Sequence, residues 1–401
     1  MPIVPRSSDG RKFAFIRTSS VSVKEIWLVE TETGHSVSLT SDRAYISGLS
    51  WSPNGSEIIF SSNRFDVPQL RRLAVNGGTL SPLLGTGDNV IYPDIFRKRN
   101  RLTYMQVVGF TSVWRRSISK AAGKNSAPKK LIYSARHDIA PQYSPDGRKI
   151  AFASDRSGTF EIWISNDDGS NPAKLTSFRC LNGAGCPRWS PDGKHIVFDC
   201  RAAGNANVYI VRSEGGMPSQ ITDDECENVT PSYSNDDKWI YFASNRTGEW
   251  QVWKTTPRGK HAVQVTKKGG FAPFESQGGR FVYYAKGRTI PGVWRVPVNG
   301  GEESKVLDSP FGGYWAYWAL VRRGIYFLDF LAPNLTPLNV ASPVAVRFLN
   351  LATGATSEVA MLDKVWTVLY PGLAVSPNCR WMLYPQLERS GSNVMVVEKF
   401  K

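Results

Sequence analysis

The stretch "QYSPDGRKIAFASDRSGTFEIWI", residues 142–164, decides the fold because its pattern recurs along the chain. A strand ending in an aromatic residue is followed by a Ser-Pro-Asp-Gly turn, an apolar strand, a second turn and a third strand. Proline presets one backbone angle of the first turn, aspartate caps the turn through its side chain, and glycine supplies a positive φ. "SPDG" therefore predicts a hairpin turn and not a catalytic motif.

Nine copies of this unit follow one another. Counted at the fifth residue of "YSPDG" and its counterparts, neighbouring copies are 41 to 57 residues apart. The longest interval contains an insertion, "LAPNLTPLNVASP", at 331–343. A period of this length indicates a repeat architecture. The aligned positions are Gly10, Gly55, Asn100, Gly147, Gly193, Asp237, Gly278, Arg322 and Cys379.

Each copy predicts one blade of a β-propeller. After the third strand, turns such as "NDDGSNP" and "SEGGMP" lead into a fourth strand ending "KLT" or "QIT". Four strands in about 40 to 45 residues are typical of a propeller blade. Apolar runs such as "IAFAS" and "IYFAS" predict sheets covered on both faces, which neighbouring blades around an axis provide. The sequence therefore predicts an all-β propeller of four-stranded antiparallel blades.

The arrangement of the blades follows from the last copy, which ends on a third strand, "NVMVVEKF". We expect "KKLIYSAR" (129–136) to supply its closing strand, and the polar residues 120–130 to be a linker. This predicts three blades of an incomplete N-terminal propeller over 1–119 and a closed six-bladed ring over 131–401. The alternative is a single array of seven to nine blades, in which 120–130 is a long hairpin loop.

The blade pattern resembles the TolB-type, WD-repeat-like propeller family, most closely at 141–163, 187–209 and 231–253. The stretches "GLSWSPNGSEIIFSSNR", "GGFAPFESQGGRFVYYAKGR" and "GLAVSPNCRWMLYPQLERSGSNVMVVEKF" are similar to the C-terminal parts of large bacterial, notably acidobacterial, proteins. In these a winged-helix DNA-binding domain or a protein kinase precedes a membrane span and a propeller sensor. The resemblance implies an extracytoplasmic sensor module of a larger transcriptional regulator. We therefore expect the chain to be a fragment of a longer product, or a cytoplasmic propeller if Met1 is a true start.

The amino-acid composition limits the classes of partner that we expect the chain to bind. Lys and Arg number 49 against 34 Asp and Glu, a formal net charge of +15. The basic residues are scattered, with local clusters at 96–101 and 120–130 and no nucleic-acid-binding motif. This distribution favours solvated loops over a polyanion site, and we expect no direct nucleic-acid binding. No apolar run reaches 18 residues, so no membrane span is predicted, and we expect a monomer.

The sequence gives little indication of a catalytic or metal-binding site. A hydrolase would need a "G-x-S-x-G" elbow with separate Asp and His, and no such pentapeptide occurs. The four histidines, His35, His137, His195 and His261, are expected at the surface, and the cysteines lack metal-ligand spacing. We therefore predict no enzyme, metal or cofactor. Cys180 and Cys186 are placed for a disulfide, or are free thiols. Two further readings stay open: an accessory propeller of a prolyl-oligopeptidase-like hydrolase without its catalytic domain, and a free TolB-like periplasmic protein.

Two sets of residues are candidates for binding a protein, peptide or glycan at the propeller mouth. A cation follows the second strand of several copies, and equivalent positions in a ring share one face. Such a circle could bind an anionic ligand; alternatively, each cation pairs with a carboxylate and stabilises the ring. These cations are Arg64, Arg156, Arg201, Arg246 and Lys286. Aromatic residues in "PFGGYWAYWAL" form either a platform for sugars and peptides or part of the core: Tyr314, Trp315 and Tyr317.

Overall fold

The computed structural model describes residues 6–7, 9–18, 24–40, 46–62, 68–77, 80–118, 127–178, 183–202, 204–259, 261–287, 290–309, 317–329, 343–362 and 372–400. Over these ranges the chain forms β-strands and one short 3-10 helix, Arg97–Arg99. The strands build eight antiparallel sheets, most of them four-stranded. The predicted all-β propeller class is confirmed.

The first two sheets follow the chain in order, and we call them blades A and B. Blade A consists of β1 (Lys12–Thr18), β2 (Lys24–Glu30) and β3 (Ser36–Ser38). Blade B consists of β4 (Ile46–Trp51), β5 (Glu57–Ser62), β6 (Gln69–Ala74) and β7 (Ser81–Pro82). The next three strands, β8 (Val90–Phe96), β9 (Arg101–Ser117) and β10 (Lys129–Ile132), belong to a sheet that the end of the chain completes.

Five four-stranded sheets follow, blades D to H, each with its strands in chain order. Blade D contains β11 (Asp138–Tyr143), β12 (Lys149–Ser154), β13 (Glu161–Asn166) and β14 (Ala173–Lys174). Blade E contains β15 (Ala184–Trp189), β16 (His195–Cys200), β17 (Asn207–Arg212) and β18 (Ser219–Gln220). Blade F contains β19 (Asn228–Tyr233), β20 (Ile240–Ser244), β21 (Gln251–Thr255) and β22 (Val263–Gln264). Blade G contains β23 (Phe271–Glu275), β24 (Phe281–Ala285), β25 (Val293–Pro297) and β26 (Ser304–Leu307). Blade H contains β27 (Trp318–Val321), β28 (Gly324–Asp329), β29 (Val344–Asn350) and β30 (Thr356–Leu362).

The last strands, β31 (Ala374–Val375) and β32 (Trp381–Val397), complete the sheet of β8, β9 and β10. β9 and β32 are 17 residues long each and pair antiparallel, from Ser117 with Trp381 to Leu102 with Val397. One half of this pair lies between β31 and β10, and we call these four strands blade I. The other half has β8 beside β9, and these three strands are blade C.

This pairing corrects the predicted strand assignment at the end of the chain. The sequence predicts a turn within the last copy and places "NVMVVEKF" as the third strand of that copy. In the structure Gly109 and Gly391 lie within the two long strands, paired with Ser390 and Val108, and neither strand turns there. The third strand of blade I is therefore the second half of β9, and the third strand of blade C is the second half of β32. β10 lies in the sheet of β31 and β32, as expected, but pairs with β9.

Buried apolar side chains join blades D to I in a closed circuit. Each neighbouring pair of blades shares a core, and the core between I and D closes the series. This is the arrangement of blades around a propeller axis. Representative pairs of core residues, from D–E to I–D, are Ile162 and Phe198, Val208 and Phe242, Tyr241 and Tyr284, Val293 and Phe327, Leu328 and Met382, and Leu383 and Phe152.

Blades A, B and C form a second, shorter series. Ala14 and Ile26 of blade A share a core with Phe60 of blade B. Ile59 of blade B shares another with Leu102 of blade C. The described residues thus contain six blades in a closed circuit and three more attached through the β9–β32 pair.

Side-chain hydrogen bonds explain why the Ser-Pro-Asp-Gly turns form. The Ser144 hydroxyl donates to Asp146 Oδ1 at 2.6 Å and accepts from the Lys149 amide at 2.9 Å. Gly147 lies in the left-handed region, at φ 72°. The serine–aspartate or serine–asparagine bond recurs at Ser190, Ser234 and Ser376. In the seventh copy the left-handed residue is Gly279, one position after the predicted Gly278.

A bulge recurs in the first strands of blades D to G. The residue before proline has a positive φ of about 50° in each, and the strand register shifts there. Left-handed backbone is uncommon for residues other than glycine, so its repetition marks a feature of the blade. The four residues are Ala140, Cys186, Thr230 and Ala272.

Candidate functional site

The cations predicted at one mouth lie after the second strands of blades D to G. Arg156 follows β12, Arg201 follows β16, Arg246 follows β20 and Lys286 follows β24. Arg64 lies outside the described residues. The blade-to-blade connections lie at this same end, which we call the connection end; the opposite end, with the Ser-containing turns, is the turn end.

Arg156 is held within its own blade. Its guanidinium forms an ion pair with Asp138 at 2.5 Å, and its Nε donates to Ser154 at 3.1 Å. The same guanidinium lies 5.1 Å from the ring centroids of Phe152 and Trp163, which is cation–π distance. Asp138 is 0% exposed. A buried carboxylate needs such a partner, so this pair is part of the structure of blade D.

The other three cations are bound in similar ways. Arg201 pairs with the buried Glu227 at 2.6 Å. Arg246 pairs with Asp224 at 2.7 Å and donates to the Asn228 side chain at 2.9 Å. Lys286 pairs with Glu303, and its Nζ lies 4.3 Å from the Trp294 ring centroid.

The four described cations thus lie at one end of consecutive blades. Each of them forms an ion pair with a carboxylate of this chain. An anion binding there has to displace these carboxylates. Binding of an anionic ligand by this circle stays a prediction, and the contacts favour the structural alternative.

The aromatic candidates are only partly described. Tyr314 and Trp315 lie outside the described residues. Tyr317 is 2% exposed and lies in the core between blades H and I, with Leu328 and Met382. Tyr317 therefore contributes to inter-blade packing.

Two other sequence predictions can be placed. His137 is half-buried rather than a surface residue: its amide donates to Asp155 at 2.7 Å, and it forms a bridge with Thr111 of β9. Burial lowers the pKa of His137. Cys180, one half of the possible disulfide, lies outside the described residues.

Two buried aspartates have raised pKa values. Burial raises the pKa of Asp155 and of Asp199 to about 6. Asp199 accepts a hydrogen bond from the Thr230 amide at 2.7 Å, which connects blade E to the bulge of blade F. Both carboxyl groups therefore titrate near pH 6.

We expect Asp199→Asn to remove a pH-dependent loss of stability. The folded pKa of about 6 lies above the ordinary 3.8, so the folded state holds a proton that the unfolded chain releases. This contribution is full below about pH 4 and is lost as the pH rises through 6. The free energy of unfolding of the variant, relative to the parent chain, should rise by about 2–3 kcal/mol from pH 4 to 7. Urea unfolding followed by tryptophan fluorescence measures it.

Asp192→Asn is the matched control for this measurement. The hydrogen bond from Ser190 lowers the pKa of the exposed Asp192, so the pH dependence of this variant should have the opposite sign. A pH-independent difference between Asp199→Asn and the parent would contradict the raised pKa.

Among the residues that the structure describes, the second half of β32 forms an open strand edge. In blades B and D to I a fourth strand covers the third, and in the three-stranded blade A β3 covers β2 in the corresponding place. In blade C the third strand, Ser392–Val397, has one neighbour among the described residues, β9. Three consecutive apolar side chains are exposed there: Val394 at 73%, Met395 at 37% and Val396 at 52%. An unpaired edge with apolar side chains invites a further strand.

No metal or membrane feature accompanies these sites within the described ranges. No group of three or more His, Cys, Asp or Glu is placed to hold a metal ion. No helix in that part of the chain is long and apolar enough to cross a membrane.

A closed circuit of four-stranded antiparallel blades, joined by a shared core at every junction, defines a β-propeller. Residues 117–311 match the family model "TolB beta propeller domain", PD40. This match supports a TolB-type propeller for that part of the chain, as the sequence pattern suggested.

Curated relatives cover only part of the molecule. The chain is 29% identical over 90 residues to the Tol-Pal system protein TolB of Hahella chejuensis, which is 22% of this chain and 20% of that protein. It is 29% identical over 84 residues to the TolB of Xanthomonas campestris, 21% of this chain and 19% of that protein. The chain thus spans about a fifth of the length of these relatives.

Solved structures give weaker similarity. A putative TolB from Agrobacterium tumefaciens aligns over 92% of this chain and 100% of that one, with 17% identity and a TM-score of 0.39. TolB from Acinetobacter baumannii aligns over 76% and 65%, with 18% identity and a TM-score of 0.39. A prolyl endopeptidase aligns over 84% and 52%, with 12% identity and a TM-score of 0.37. Similarity at this level does not identify a function.

Proposed function

We propose that the chain is a non-catalytic binding module, and that its partner is another protein. The observation that carries this proposal is the open edge of blade C at Ser392–Val397. We propose further that a short extended segment of the partner occupies the fourth-strand position beside Ser392–Val397, where the described residues supply no strand.

The fourth strands of the other blades indicate how long such a segment needs to be. In blades D, E and F the fourth strands are two residues long, Ala173–Lys174, Ser219–Gln220 and Val263–Gln264. A few main-chain hydrogen bonds are therefore enough to hold a segment in this position. Addition of a strand to an open edge gains affinity from main-chain hydrogen bonds and specificity from alternate side chains. An apolar residue of the segment would cover part of the exposed surface of Val394 and Val396.

The test uses a peptide taken from a fourth strand of this chain, residues 302–309, "EESKVLDS", labelled with fluorescein. We expect saturable binding by fluorescence polarisation, and at least tenfold weaker binding after Val394→Lys with Val396→Lys, because inserted lysines block strand addition. The exposed positions should leave the free energy of unfolding within about 0.5 kcal/mol.

The control variant is Val37→Lys with Val263→Lys. These valines are also exposed, at positions that already belong to fourth strands. The control should bind the peptide like the parent chain. Equal binding by both variants, or no binding by the parent, would contradict the proposal. Sedimentation velocity tests a second possibility. If the parent chain is a dimer and the Val394→Lys, Val396→Lys variant is a monomer, the partner at this edge is a second copy of the chain.

We also propose a setting for the module. Similarity to the C-terminal regions of bacterial winged-helix regulators supports a sensor role in a larger signalling or transcriptional protein. The short matches to Tol-Pal system protein TolB support the second candidate, a free interaction protein of the TolB kind. Both place the module outside the cytoplasm, with the propeller as a monomer. A reporter fusion that is active only in the periplasm tests the location; activity in the cytoplasm contradicts both candidates.

A further inference from the structure

A cleft between blades G and H has a lining that is strongly cationic. It has a volume of about 970 Å³ and opens at the turn end. The first turn of blade G forms one wall with Arg280. The hairpin tip of blade H forms the other with Arg322 and Arg323, and Arg295 of β25 lies between the two walls.

The lining contains four arginines and no aspartate or glutamate. Within the described residues, no ion pair involves Arg280, Arg322 or Arg323. This contrasts with the connection end, where Arg156, Arg201, Arg246 and Lys286 all pair with carboxylates. Clustered cations without counter-charges attract anions to a cleft, because low-dielectric walls focus the field.

The corresponding cleft between blades F and G shows that the repeat does not require this charge. It contains Asp236 and Glu275 beside a single cation, Lys254. Glu275 accepts hydrogen bonds from the Asn235 side chain at 2.9 Å and from the Tyr241 hydroxyl at 2.7 Å. Lys254 donates to the Val298 carbonyl at 2.8 Å. There the two carboxylates outnumber the single cation, so no excess positive charge is left for an anion.

The other residues that line the G–H cleft indicate which kind of anion fits it. Leu320, Val321 and Leu351 provide apolar surface between the arginines. The Arg295 guanidinium lies 4.6 Å from the Phe281 ring centroid and occupies that ring face, so the face is not open for stacking a nucleobase. A chain that alternates carboxylates with aliphatic side chains matches both the charge and the apolar surface.

We propose that the G–H cleft binds an acidic, aliphatic peptide segment of a partner protein. Arginine suits this role because its planar fork binds a carboxylate through two parallel hydrogen bonds. The inference relies on the proposed protein-binding function for the kind of partner, but not on the edge of β32. The two sites lie on different blades and are separable by mutation.

The test uses a fluorescein-labelled twelve-residue peptide of four Glu-Leu-Gly triplets and its Gln-Leu-Gly counterpart. The binding variant combines Arg280→Gln, Arg322→Gln and Arg323→Gln. The control combines Arg148→Gln, Lys194→Gln and Lys238→Gln, which removes the same charge from exposed turn-end positions of blades D, E and F. We expect the acidic peptide to bind the parent chain, at least tenfold weaker binding to the first variant, and binding within about twofold of the parent for the control.

Affinity of the parent for the acidic peptide should fall as salt rises, because exposed charges are screened. Several outcomes would overturn the proposal: equal weakening by both triple variants, equal binding of the Gln-Leu-Gly peptide, or tighter binding of an oligothymidylate of equal length. The Val394→Lys, Val396→Lys variant should still bind the acidic peptide. Failure of the edge proposal therefore leaves this result unchanged, and failure here leaves the edge proposal unchanged.

Discussion

A chain of residues 109–390 is expected to unfold in one cooperative transition, whereas a chain of residues 120–401 is expected not to fold. The reason is the β9–β32 pair. Residues 110–117 form the third strand of blade I, between β32 and β10. The chain that begins at residue 109 keeps this strand. The chain that begins at residue 120 lacks it, so the middle of its sheet is missing.

Loss of this strand opens the ring at its closing blade. Val113, which is fully buried, lies in the core between blades I and D, and Ile118 lies in the core between blades H and I. Burial of each such side chain stabilises by about 1.5–3 kcal/mol. Hydrogen bonds to two neighbouring strands are lost as well. The sum is comparable with a whole domain's stability of about 5–15 kcal/mol.

Urea unfolding and size-exclusion chromatography with light scattering distinguish the two chains. The parent chain is the reference for cooperativity. We propose the six blades D to I, with the ends of β9 and β32 cut at 109 and 390, as the structural unit, in place of a boundary at the polar segment 120–130. A cooperative, monodisperse 120–401 chain would restore the boundary predicted from the linker.

Replacement of Arg156 by alanine is expected to cost about 3–5 kcal/mol of unfolding free energy, because it removes the cation that pairs with the buried Asp138 side chain. The second substitution Asp138→Asn should recover part of this loss, since a neutral amide is cheaper to bury than a carboxylate. Urea unfolding at pH 7 of the parent, the single variants and the double variant gives the coupling free energy directly.

Arg246→Ala is the matched comparison. Its carboxylate partner, Asp224, is 39% exposed and can be hydrated once the cation is gone. We expect a smaller cost, about 1 kcal/mol. Equal costs for the two variants would show that burial of Asp138 does not set the energy of its pair. Unchanged stability with Arg156→Ala would favour the ligand-binding interpretation of the cation circle.

Much of the fold could be predicted from the sequence because each blade is local. The Ser144 to Lys149 turn, for example, is stabilised by hydrogen bonds among six consecutive residues. The path of β9 and β32 could not be predicted, because Gly109 and Gly391 are as compatible with a turn as with a strand. Their pairing depends on residues far apart in the chain. The left-handed Ala140, Cys186 and Thr230 were also hidden, since none of these residue types signals a positive φ.

The candidate sites were predicted less well. The position of the cation circle followed from the repeat, but its partners, such as Asp138 and Glu227, are carboxylates whose contacts appear only on folding. The G–H cleft had a signal in the sequence: in the eighth copy "ALVR", residues 319–322, stands where other copies have the Ser-Pro-Asp-Gly pattern, and a second arginine follows it. A break in a repeat is visible without a structure; the absence of a neutralising carboxylate is not.

The β9–β32 pair also sets the order of events during synthesis. β9 leaves the ribosome about 260 residues before β32. At about 5–20 residues per second, it waits roughly 10–50 s for its partner. Blades D to H can form meanwhile from neighbouring strands, but the ring can close only after β32 has been made. During that interval β9 can pair with its chain neighbours β8 and β10, but the edge that takes β32 stays open. A chaperone that shields this edge would prevent aggregation of the nascent chain.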